Sequence, residues 1–110
     1  MVYIYVDDIR EDDSFYNRHF PSNCIVVICR DYFSTIEALH TYQDDEIYID
    51  LDHDLGFDND EDKEYNGYNI CQYIIENHIA IAGFHIHTAN PVGAFNMWQL
   101  LTHYGIKELF

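Results

Sequence analysis

The sequence is short of positive charge. Five Lys and Arg face twenty Asp and Glu, for a formal net charge of −15. Such a surface repels nucleic acid, whose binding rests on Lys and Arg displacing counterions from phosphates. It repels anionic membranes for the same reason. It suits cations, basic protein surfaces or plain solubility. Long apolar runs are lacking too, since none approaches the roughly 20 residues of a membrane helix. The start, Met-Val-Tyr-Ile-Tyr-Val-Asp, has neither the basic opening nor the apolar core of a signal peptide. Cysteine is scarce and odd in number. Cys24, Cys29 and Cys71 show no metal-ligand spacing, which reads as reduced core thiols in a cytoplasmic setting. Repeats, linkers and low-complexity tracts are missing, so residues 1–110 are expected to form a single domain.

Aromatics are plentiful, with ten Tyr and seven Phe, so this acidic chain is globular rather than disordered. Val2 to Val6 reads as a strand that stops at Asp7-Asp8. The next stretch is polar, with room for a short helical turn, and closes at Pro21-Ser22-Asn23. Residues 24–29 are apolar throughout, the pattern of a central strand covered on both faces. Ser34-Thr35-Ile36-Glu37 has the form of a capping box opening a helix to about Tyr42, with Ile36, Leu39 and His40 on one face. A strand at 46–51 follows. Gly67 leads into a helix to about His78, with Tyr68, Cys71, Ile75 and His78 on one side. Residues 83–88 make a fourth strand. Asn90 caps a helix that starts at Pro91 and ends at Gly105, with Ala94, Met97 or Trp98, and Leu101 as its apolar stripe. Residues 106–110 add a short fifth strand. Strands alternating with helices give an α/β class with a mainly parallel sheet.

In such sheets ligands bind beyond the carboxyl ends of the strands. Asp7-Asp8, Asp52-His53-Asp54 and His87-Thr88 all fall at such ends. Carboxylates from two strands are hard oxygen ligands for Mg²⁺ or Mn²⁺, and a histidine beside them admits Zn²⁺. The expected metal set is Asp7, Asp8, Asp52, His53 and Asp54. His87 suits a general acid or base near neutral pH. Thr88, Asn90 and Gly93 surround a helix start, whose free N–H groups and positive dipole end favour a phosphate. Gly93 is expected to let that ligand approach closely. The acidic stretch near residue 60 matches the first EF-hand ligands at Asp58, Asp60 and Asp62. It then fails at Lys63 and Asn69, so it reads instead as a solvated lid or a partner-binding surface.

Four stretches follow in order: Asp7-Asp8-Ile9-Arg10, Asp50-Leu51-Asp52-His53-Asp54-Leu55-Gly56, Asn66-Gly67-Tyr68, and His87-Thr88-Ala89-Asn90-Pro91-Val92-Gly93-Ala94-Phe95-Asn96-Met97. Together they resemble the cyclic-phosphate processing receiver domains of bacteria and phages, over roughly residues 2–104. The resemblance implies a flavodoxin-like, three-layer domain with four to five strands, shortened at its C-terminus. It also implies an acidic pocket with a histidine that handles cyclic phosphates, such as RNA 2′,3′-cyclic ends. Carried over by position, that pocket is Asp7, Asp8, Arg10, Asp52, His53, Asp54, His87 and Asn90. Asp50 departs from the pattern, standing where a small residue such as Ser is more usual, and the loop at 57–65 is exceptionally acidic.

Two functions compete. In the first, a metal-dependent phosphoesterase acts on a small cyclic nucleotide or an RNA 2′,3′-cyclic end. His87 moves the proton and Arg10 neutralises transition-state charge. In the second, a phage-encoded acidic inhibitor of the anti-CRISPR type covers a basic nucleic-acid-binding protein, such as a CRISPR effector, through Asp58, Asp60 and Asp62. A receiver-like signalling module that binds Mg²⁺ is a third, plainer expectation.

Overall fold

The computed structural model describes residues 1–8, 23–55 and 65–109. Strand β1 (Val2–Val6) is wholly buried and lies inside the sheet. Its residues favour strands because branched and aromatic side chains pack well on a pleated surface. It pairs in parallel with β2 (Ile25–Cys29) on one side and β3 (Ile47–Leu51) on the other. Beyond β3 lies β4 (Gly83–Ile86), giving the order β2-β1-β3-β4. The expected fifth strand is reduced to one parallel bridge between Phe84 and Glu108. It is held by the Phe84 N–H on the Lys107 carbonyl and the Leu109 N–H on the Phe84 carbonyl, at 2.9 and 2.7 Å.

Residues 24–29, expected at the centre, form the edge strand of the described sheet instead. Ile25 and Ile28 are 49% and 44% exposed. A continuous β-branched run therefore marks strand propensity here, not burial on both faces.

Helices α1 (Tyr32–Thr41), α2 (Gly67–Glu76) and α3 (Pro91–His103) connect or follow the strands. Leu39 of α1, Ile70 and Ile74 of α2, and Met97 and Leu101 of α3 join one core with Ile4, Ile49 and Phe84. The described helices therefore share one face of the sheet, as a single layer. The helical turn expected after β1 lies outside the described residues. No described helix is long and apolar enough to cross a membrane. The opposite face carries a second cluster, in which Tyr3, Tyr5 and Cys24 are buried beside Val26 and Tyr48.

Each helix is opened by a polar cap. In α1 the cap is Asp31, whose carboxylate accepts from the Ser34 N–H at 2.8 Å, while Ser34 Oγ accepts from the Asp31 N–H. The capping box thus sits one turn earlier than the Ser34–Glu37 pattern suggests, and Thr35, Ala38 and Leu39 are the buried residues. Asn66 and Asn69 cap α2 in the same reciprocal way. Gly67, Ile70, Cys71 and Ile74 form its buried face, a rotation from the expected one. His78 lies past the helix end with a positive φ of 53°. Asn90 caps α3 through the Gly93 N–H at 2.9 Å, and Pro91 takes its first position. Met97, not exposed Trp98, faces the core. All three cysteines are buried free thiols, and burial pushes Cys71 well up from the usual range and Cys29 up to about 11.

Candidate metal and proton-transfer site

Parallel pairing brings the ends of β1, β3 and β4 side by side. Backbone bonds extend the ladder past each strand. The Asp7 N–H bonds the Cys29 carbonyl at 3.0 Å, the Asp52 N–H bonds the Val6 carbonyl at 3.0 Å, and the His87 N–H bonds the Leu51 carbonyl at 2.9 Å. The backbone of three candidate site residues is thus fixed by the ladder.

The centre of the arrangement is His87. Its Nδ1 lies 2.5 Å from Asp50 Oδ1 and its Nε2 lies 3.0 Å from Asp7 Oδ2. The Tyr5 ring stacks on the imidazole, with centroids 4.6 Å apart and planes 2° from parallel. Burial alone pushes His87 toward the neutral form. The hydrogen bond and charge of Asp50, then the bond to Asp7 and the charge of Asp52, outweigh it and raise its pKa above the ordinary value. With a proton on each nitrogen, the ring donates to a carboxylate on both sides.

Asp50 is the anchor. It is 1% exposed and accepts from the Tyr3 hydroxyl, from His85 at 3.0 Å and from His87. Burial pushes its carboxyl up, but the bonds from His85 and His87, the charge of His87 and the Tyr3 bond hold it below the usual range. The Tyr3 hydroxyl is driven up, first by its own burial and then by the Asp50 charge. Asp52 is buried and raised, by burial and then by the charge of Asp7, against a hydrogen bond from Thr88. Thr88 Oγ1 in turn accepts the Asn90 N–H at 3.2 Å.

Two groups of side chains present ligand atoms within 4.8 Å of one another: Asp7, Asp52 and His87, and Asp50, His85 and His87. Either could hold a metal ion. The first matches the oxygen-rich strand-end site. The second has its Asp50 oxygens already occupied by three donors, which suits it to orienting His87.

The remaining expected residues fall around this centre. Asp8 is half-buried and lies outside both groups. His53 turns its Nδ1 to Asp54 Oδ1 at 3.0 Å and to the Asn90 amide at 3.4 Å. Asp54 is largely exposed. The space a Cβ would fill at Gly93 is taken by the His53 ring, 2.4 Å away. Gly93 therefore admits His53, in place of the ligand expected there, and its N–H is used by the Asn90 cap. Arg10, Gly56, Asp58, Asp60 and Asp62 lie outside the described residues.

Sequence reasoning passed over Asp50, His85, Tyr3 and Tyr5 as site residues, and Arg30, whose guanidinium donates to the Asp7 carbonyl at 3.3 Å. A signal existed. A carboxylate inside an apolar strand requires buried partners, and alternation puts Asp50, His85 and the tyrosines on one sheet face. A pocket of about 500 Å³ lined by Ile74, Glu76, His78, Ile79, Tyr104 and Ile106 lies away from these residues, at the far end of α2.

A family model described as the cyclic-phosphate processing receiver domain matches residues 2–103. No curated protein and no solved structure matches the chain.

Proposed function

The chain belongs to the cyclic-phosphate processing receiver family, and on that premise we propose that it is a metal-assisted phosphoesterase that opens a cyclic phosphate. One observation carries the reading: His87 is held by buried Asp50 through one nitrogen and presents the other to Asp7, beside Asp52. Asp7 and Asp52 would hold a divalent cation, Mg²⁺ or Mn²⁺ by their oxygen chemistry, with the His87 Nε2 proton kept for transfer. Bound there, the ion would neutralise phosphoryl charge and make water more acidic.

The chain's own residues carry the rest. His87 gives its Nε2 proton to the ester oxygen whose bond to phosphorus breaks. It then takes up the proton lost by the water whose oxygen bonds to phosphorus, so the cyclic diester plus water becomes a monoester and the imidazolium is restored. Asp50 keeps the ring oriented throughout. Thr88 fixes the Asp52 carboxyl. Arg10 is proposed to neutralise equatorial charge, with Arg30, whose guanidinium donates to the Asp7 carbonyl, proposed to share that task.

The test is turnover of a panel of cyclic phosphates with Mg²⁺, Mn²⁺ or Zn²⁺. Asp52→Asn and His87→Ala should each lower the rate about 10²-fold or more. Asp52→Asn should also abolish the rise in melting temperature that the ion gives the wild-type protein. Absence of turnover with every metal would sink the reading. The competing proposal, an acidic inhibitor of a basic nucleic-acid-binding protein, draws on the net charge and on exposed Asp44, Asp45 and Glu46. It requires tight binding to such a protein that charge reversal at Asp58, Asp60 and Asp62 weakens.

A further inference from the structure

Beside the acidic centre stands a group of aromatic rings that the chemistry above leaves unused. Tyr32 and Tyr65 stack with centroids 4.3 Å apart and planes 14° from parallel. Phe33 meets both edge-on, at 5.2 Å from Tyr32 and 5.4 Å from Tyr65. Tyr32 and Phe33 open α1, two and three residues past Arg30, which is bonded to the Asp7 carbonyl. Tyr65 precedes the Asn66 cap of α2, and two residues on, Gly67 donates to the His53 carbonyl at 2.8 Å. The rings therefore join the β2–α1 junction to the start of α2, at the same end of the sheet as Asp7 and Asp52. Phe33 is 54% exposed there, although the chain had a buried core available to it.

We infer that the exposed ring of Phe33, buttressed edge-on by the stacked Tyr32 and Tyr65, forms a nucleobase platform, so that the cyclic phosphate handled at Asp7, Asp52 and His87 is that of a nucleoside. The assignment rests on the phosphoesterase reading for its phosphate half only. A flat ring accepts any base by its π-face, and Arg30, bonded to the Asp7 carbonyl, adds a cation on the same side. The ligand is a single nucleoside cyclic phosphate and not a long RNA end, because a chain of net charge −15 repels a run of phosphates.

The experiment measures calorimetric binding of adenosine 2′,3′-cyclic phosphate, base-free glycerol 1,2-cyclic phosphate and adenosine alone, with Mg²⁺ or Mn²⁺ present. Wild-type protein should prefer the nucleoside ligand by about ten-fold or more, in line with one stacked base. Phe33→Ala should erase that preference and leave the glycerol ligand unchanged, while Phe33→Trp should keep it and show fluorescence quenching on binding. Phe33 is exposed, so both variants keep the core. Equal wild-type affinity for the two cyclic phosphates overturns the platform, as does full preference in Phe33→Ala. Tighter binding of a tetranucleotide ending in the cyclic phosphate overturns the single-nucleoside assignment. Phe33-dependent binding of adenosine without any turnover upholds the platform while the phosphoesterase reading falls. Equally fast cleavage of both cyclic phosphates does the reverse.

Discussion

Asp50 holds three donors on one buried carboxylate, and two of them come from neighbouring β4 and its extension. Replacing it with Ala would leave the Tyr3 hydroxyl and the His87 ring buried without that partner. Breaking a buried pair in this way costs about 3–5 kcal/mol. Urea denaturation should show the loss, and a double-mutant cycle with His87→Ala should show strong coupling between the two sites. The pH dependence has a definite sign. Asp50 titrates lower in the folded than in the unfolded state, so its contribution is full above about pH 3.9 and fades as pH falls through the folded value. His87 titrates higher when folded, so its contribution is full below about pH 6.5 and fades as pH rises through its folded value. Metal-free protein should therefore be most stable between about pH 4 and pH 6.5. A stability curve still rising above pH 7 would contradict the pairing. Asp7, Asp52 and His87 were legible from sequence because polar residues ending apolar strands stand out. Asp50 was not, because a buried acid inside a strand shows its meaning only once register sets it beside His85.

At the scale of elements, the strand ends depend on how closely α2 docks. A Cβ on Gly67 would sit 2.2 Å from the Asp52 carbonyl oxygen and 2.7 Å from the Met97 sulfur. Backbone cannot yield cheaply there, so Gly67→Ala should lift the start of α2 from the end of β3. Overpacking of this kind costs about 1–3 kcal/mol. The expected outcome is a lower melting temperature together with weaker metal binding. An unchanged affinity would show that docking and site are independent. Parallel sense and the alternation of elements are readable from apolar periodicity, whereas the expected fifth strand makes only one bridge. Helix starts were less so. Asp31 and Ser34 compete with Ser34 and Glu37 as capping pairs, and both satisfy the same local rule. The buried face of α2 is rotated from the one its periodicity suggests because Gly67, whose residue type suggests only a helix start, is a close-packing surface.

For the molecule as a whole, like charge dominates. Twenty acids on 110 residues repel one another in the compact state, and salt screens that repulsion. Raising sodium chloride from low to moderate concentration should increase the melting temperature of metal-free protein. A divalent cation should do so at far lower concentration, through binding to the folded state. Equal effectiveness of the two salts at matched ionic strength would argue against a specific cation site. The enclosed thiol of Cys71 gives this stability a clock. It lies fully buried on the core face of α2, and burial keeps it in the unreactive thiol form. A thiol reagent can reach it only when α2 swings out, and the start of that helix is clamped to the loop after Asp52. The labelling rate of one sulfur atom thus counts how often the acidic strand end comes apart, and a resident cation should lengthen the interval between those events.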